Sequence, residues 1–102
     1  MRTFKEFINE AKKGWHLIHD EDFQMEDGSW VMSYWVFNGT REVGRVEDAR
    51  EYDGTVEIRS YAKGDPLSYV DLTRIAGKLD IHKAFAKFIK TSKGKKWITM
   101  AV

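Results

Sequence analysis

A chain of 102 residues with 42% hydrophobic and 14% aromatic side chains has enough apolar material for one core, and too little length for a second domain. With no cysteine it has neither a disulfide framework nor a thiolate zinc site, a usage that suits a reducing compartment. No apolar run approaches the ~20 residues of a membrane span and the first residues lack a secretory apolar core, so the composition reads as a soluble globular protein with no membrane partner.

The net charge of +1 conceals an uneven distribution. Residues 1 to 62 carry 8 basic and 13 acidic side chains, a balance of −5, whereas residues 63 to 102 carry 9 basic and 3 acidic, a balance of +6. Asymmetry of this kind marks either a basic surface for nucleic acid or a charged face for a protein partner.

Taking the chain in order, Thr3 and Glu6 form a capping-box pattern, and Phe4, Phe7, Ile8 and Ala11 then recur on one helical face. Lys12 and Lys13 complement the C-terminal end of the helix dipole and Gly14 suits the C′ position, so a helix is expected over about residues 4–13.

The same segment, MRTFKEFINEA, resembles the leader of the internal head proteins of T-even bacteriophages. That leader is a capsid-targeting sequence reading Met, a basic residue, Thr, an aromatic, any residue, Glu-Phe-Ile, any residue, Glu-Ala. Here these are Met1, Arg2, Thr3, Phe4, Lys5, Glu6, Phe7, Ile8, Asn9, Glu10 and Ala11. In that family the prohead protease cuts after an apolar residue, any residue and Glu. The resemblance therefore implies a cleavage motif of Ile8, Asn9, Glu10 and Ala11 and a removable leader at 1–10, which leaves 11–102 as the single domain, read below as α+β. It further implies residence in the virion head, passage into the host cytoplasm with the DNA, and inhibition of a host protein such as a defence nuclease. The match covers about a tenth of the chain, and the remaining residues resemble no particular member.

Trp15 to Ile18 reads as a first strand that ends in an acidic loop of Asp20, Glu21 and Asp22, followed by Glu26, Asp27 and Gly28. His16 and His19 are metal-ligand types, but residues i and i+3 of a strand point to opposite faces, so no metal site is assigned.

The strongest local signal is Ser29 to Val46, two β-prone runs around Asn38-Gly39, the preferred pair for a type I′ hairpin. Counting outward from that turn pairs Phe37 with Thr40, Trp35 with Glu42, Ser33 with Gly44 and Val31 with Val46. The other face then holds Val36 with Arg41, Tyr34 with Val43 and Met32 with Arg45. Neither face of the first of these strands is polar, which predicts an interior strand covered on both sides or one presenting aromatics to a partner. The core face is either Trp35 with Phe37, or Trp30 with Tyr34 and Val36.

Asp53-Gly54 signals a second turn into a strand in which Val56, Ile58, Ser60 and Ala62 alternate with Thr55, Glu57, Arg59 and Tyr61. Gly64, Asp65 and Pro66 stop it. Ser68 with Asp71 resembles a capping box ahead of a stripe of Leu72, Ile75, Ala76 and Leu79, and Asp80 is placed to cap a further helix. That helix has an apolar side of Ile81, Phe85, Phe88 and Ile89 opposite Lys83, Lys87 and Lys90. Residues 91–96 then read as a basic turn and WITMAV as a short returning strand. The expected fold is α+β: N-terminal helix, a meander of three to four antiparallel strands, two helices and a short C-terminal strand.

Residues 72–90 also resemble a helix-turn-helix through Leu72, Ile75, Ala76, Leu79 and Ile81, which implies a DNA-facing helix bearing His82, Lys83 and Lys87. Asp80 replaces the usual turn glycine there, and Phe85 and Phe88 stand where the motif would face DNA. The order helix, three strands, helix is also similar to double-stranded-RNA-binding domains, although Ser68 to Leu72 lacks their basic opening. If the chain binds DNA or RNA, the candidate contacts are Lys83, Lys87, Lys90, Lys93, Lys95 and Lys96.

For catalysis there is no cysteine nucleophile, glycine-rich phosphate loop or nucleophile elbow. Asp20, Glu21, Asp22, Glu47 and Asp48 supply carboxylates without a pattern that pairs two across a cleft. The expectation is a binding protein without cofactor rather than an enzyme, with an inhibitor of a host macromolecule first and a nucleic-acid binder second.

Overall fold

The computed structural model describes residues 14–61 and 69–101, so the expected helix at 4–13 and the cleavage motif lie outside the described residues. The described chain is α+β. Five antiparallel strands, β1 (Trp15–Gln24), β2 (Trp30–Asn38), β3 (Arg41–Ala49), β4 (Thr55–Ser60) and β5 (Tyr69–Asp71), form one sheet in sequence order. Three helices follow: α1 (Thr73–Ala76), α2 (Ile81–Phe88) and α3 (Ser92–Ala101).

The meander is thus one strand longer than expected, and β1 runs through the acidic stretch instead of ending before it. A bulge accommodates that stretch: His19 pairs with Tyr34 and Glu21 with Ser33, leaving Asp20 as the extra residue. Charged side chains are tolerated because β1 is an edge strand of the described sheet.

The central hairpin forms, but its register is corrected. Asn38 pairs with Arg41, so Gly39 and Thr40 make the two-residue loop, with Gly39 at a φ of +63°. Positive φ at the first central residue alone is the demand of a type II′ turn, which glycine meets without steric cost. A bulge follows, since Phe37 pairs with Glu42 and Val36 with Gly44, and Val43 is the extra residue. Tyr34 consequently faces Val46 rather than Val43. The gain is apolar: Val43 and Val46 are both buried in the core.

The helices pack on one face of the sheet. Leu17, Tyr34, Val36, Val46, Val56 and Ile58 from the strands meet Leu72, Ala76, Ile81, Phe85 and Phe88. Of the two candidate core faces, that of Tyr34 and Val36 turns to the helices, while Trp30, expected with them, is 43% exposed at the strand end. Trp35 and Phe37 stand on the outer face with their rings edge to face at 6.2 Å, and His16 stacks on Phe37 at 5.8 Å. β2 therefore buries side chains on both faces, Val36 on the inner and Ser33 and Phe37 on the outer.

In the helical layer, Asp71 ends β5 instead of opening a helix. Its carboxylate accepts from Thr73 N at 2.7 Å, and Thr73 Oγ1 accepts from Val56 N at 2.9 Å, which ties β4 to the first helical turn. That helix stops after one turn at Gly77, and Leu79, expected in its buried stripe, is exposed. The helix pair expected over 72–90 is accordingly one turn followed by α2. The Asp80 cap forms as expected, accepting from His82 N at 2.9 Å and Lys83 N at 3.4 Å.

The returning strand expected at WITMAV is instead α3. Gly94, Trp97 and Ala101 recur at i, i+3 and i+7 and are buried, and burial of the indole overrides the strand propensity of Trp, Ile and Thr. Thr91 joins the two helices: its hydroxyl donates to Phe88 O at 2.6 Å and accepts from Gly94 N at 3.0 Å. Gly94 is required there, because a Cβ would lie 1.8 Å from the Phe88 carbonyl oxygen.

Candidate functional site

Two layers of opposite charge are the main surface feature of the described fold. Residues 14–61, which build β1 to β4, carry four basic and eleven acidic side chains, a balance of −7. Residues 72–101, which build the helices, carry eight basic and one acidic, a balance of +7. Sequence order alone separates these charges along the chain. The packing of helices on the sheet turns that separation into two stacked layers.

On the helical face, all six expected lysines are exposed: Lys83, Lys87 and Lys90 on α2 and just beyond it, and Lys93, Lys95 and Lys96 on α3. Burial of Ile81, Phe85 and Phe88 directs the first three outward, and burial of Gly94 and Trp97 directs the second three. The Thr91 bridge fixes the two groups relative to one another. His82 is also exposed on α2, with its ring edge to face against Tyr34 at 5.8 Å. Burial raises the Tyr34 phenol above its usual range, and the carboxylates of Asp48, Asp22 and Asp80 add to the effect.

His16 and His19 do not converge. His16 lies on the outer face with Nδ1 2.9 Å from Gly14 O, whereas His19 turns to the helix side and its Nε2 donates to Asp22 Oδ1 at 2.7 Å. Among the described residues no three metal-ligating side chains come together. Of the other carboxylates, Asp20 binds Arg45 at 2.6 Å and Asp48 is sequestered by Arg50.

On the outer sheet face, Arg45 bridges three strands, donating to Asp20 of the β1 bulge and to the Ser33 hydroxyl of β2. Beside it the Tyr61 hydroxyl is pushed up to about 12, first by burial and then by its hydrogen bond to Glu42. Farther along the same face, Phe23, Tyr52, Val31, Glu47, Asp53 and Glu57 line a cleft of about 150 Å³. Phe23 and Tyr52 are 38% and 46% exposed, unusual for aromatics that share a concavity. Sequence reasoning missed this cleft. Its residues come from three separate stretches, and exposure of an aromatic has no local signature.

The fold and this surface define a two-layer α+β protein with segregated charge. No protein-family model matches the chain, and neither a curated protein nor a solved structure matches it. Among the described residues no helix is long and apolar enough to cross a membrane.

Proposed function

We propose that this chain is a small phage protein, packaged in the virion head and delivered with the DNA into the host cytoplasm, where it binds and inhibits a host macromolecule such as a defence nuclease. The observation that carries this reading is the eleven-residue agreement of Met1 to Ala11 with the capsid-targeting leader. The opposed acidic and basic layers support it, because charge gathered on a face steers association with an oppositely charged partner. The protein acts by binding, without cofactor or catalysis.

The test is mass spectrometry of purified virions. The protein is expected there with Ala11 as its first residue, cut by the prohead protease, and Glu10→Gln should leave residues 1–10 attached. Finding the chain only in infected cytoplasm would remove packaging from the account.

The six exposed lysines favour a second reading, in which the helical face binds DNA or RNA through phosphates. Replacing Lys87, Lys90, Lys93, Lys95 and Lys96 by Gln should then abolish duplex binding, and wild-type binding should weaken steeply with salt. A wild-type protein that shifts neither DNA nor RNA in a mobility assay at low salt would end this reading.

A further inference from the structure

The cleft between Phe23 and Tyr52 joins apolar and acidic surface in a way the core does not require. Glu47 pairs directly with Glu57 across β3 and β4, and these two alternate with Val46 and Ile58, which face the helices. Like charges placed directly opposite destabilise a sheet. The next pair along the same face is Arg45 with Arg59, and Arg45 is engaged on its far side by Asp20 and Ser33. The carboxylates of Glu47 and Glu57 therefore stand between these arginines and the two exposed rings.

We propose that this cleft receives an arginine or lysine side chain presented by a basic segment of a protein partner. The cation lies against the faces of Phe23 and Tyr52 and is met by Glu47 and Glu57. The inference rests on the reading of this chain as a binder of a host protein, and adds the surface and the chemistry of that contact. Size supports it: about 150 Å³ is well below the ~300 to 1,000 Å³ of small-molecule pockets and suits one side chain. Charge supports it as well, since the −7 balance of residues 14–61 attracts a basic segment and repels nucleic acid. An apolar occupant would strip water from the Glu47 carboxylate and offer it no partner. A cation over an aromatic ring inside a ring of carboxylates gains from both.

The experiment uses the full chain and a blocked hexapeptide alternating glycine and arginine, titrated at low salt. The wild-type protein should bind it, with the largest amide chemical-shift changes at Phe23, Glu47 and Tyr52. Tyr52→Ala should weaken binding about two- to fivefold, the range of an exposed cation–π contact, and Tyr52→Phe should retain it. Glu47→Gln should weaken binding about fivefold, whereas Glu26→Gln, an equal charge change in the β1–β2 connection, should change it less than about twofold. Absence of wild-type binding, Tyr52→Ala binding as well as wild type, or Glu26→Gln weakening it as much as Glu47→Gln would each overturn the proposal. Packaging is read separately, from the first residue found in virions, so loss of one reading leaves the other standing.

Discussion

Arg50 holds Asp48 through two hydrogen bonds, Nε to Oδ1 at 2.8 Å and Nη2 to Oδ2 at 2.7 Å. The same guanidinium donates from Nη1 to the carbonyls of Gly77 at 3.0 Å and Leu79 at 2.7 Å. A residue just beyond the end of β3 thereby closes the connection between α1 and α2, and fastens the helical layer to the sheet. Asp48 itself is only 3% exposed, and its Oδ1 also accepts from the Arg50 backbone N–H at 3.2 Å, so one residue supplies all of these donors.

Removing either member leaves the other buried or half-buried without its partner. Arg50→Ala is expected to cost about 3 kcal/mol, toward the lower end for a broken buried pair because Arg50 keeps some contact with water. Arg50→Lys should recover little, since an ammonium cannot reproduce the paired geometry or reach both carbonyls. Urea denaturation midpoints measure both. A wild-type midpoint for Arg50→Ala would show that the latch is dispensable.

The junction of α2 and α3 is expected to be intolerant of a single methyl group. Gly94→Ala places a Cβ against the Phe88 carbonyl and should destabilise by about 1 to 3 kcal/mol or more, as overpacking does. Trp97→Ala should cost about 3 to 5 kcal/mol, because the indole is fully buried beside Phe88 and Trp15. Lys93→Ala, on the exposed side of the same helix, should be near neutral. Thermal or chemical melts of the three variants give the comparison, and an unaffected Gly94→Ala would contradict the close approach of the two helices.

Acid should weaken the fold in a defined direction. Asp27, Asp53 and Asp71 each accept from the hydroxyl and the backbone N–H of a Ser or Thr two residues on, and these bonds hold their carboxyls below the usual range. A depressed folded-state value means that the unfolded chain binds protons first. The stabilisation is therefore present above the unfolded value of about 3.9 and is lost as pH falls through the folded values. Stability measured from pH 6 downward should stay level and then fall below about pH 4, with a shallower fall in Asp71→Asn. A midpoint that rises on acidification would refute this assignment.

Periodicity within one element was enough to place much of this molecule. Asp80 as a cap, the buried side of Ile81, Phe85 and Phe88, the alternation of β4 and the outward direction of Lys83, Lys87 and Lys90 follow from spacing, because each depends on neighbours within a few residues. The resemblance carried by Met1 to Ala11 is likewise legible only as sequence. Register was not, because Val43 can be the extra residue of a bulge only when burying it beside Val46 outweighs a regular ladder, and that balance depends on the helices overhead. The same holds for α3. Its β-prone residues became helix because Trp97 fills the space between Phe88 and Trp15, a space that does not exist until the other elements have packed. The aromatic cleft was the least legible of all: Phe23 and Tyr52 lie 29 positions apart, and only the antiparallel pairing of β1 to β4 brings them to one concavity with Glu47 and Glu57. Local spacing determined which way the side chains of β4 and α2 point, and tertiary packing decided which side chains meet, because contact between distant residues is settled by the burial of the whole core.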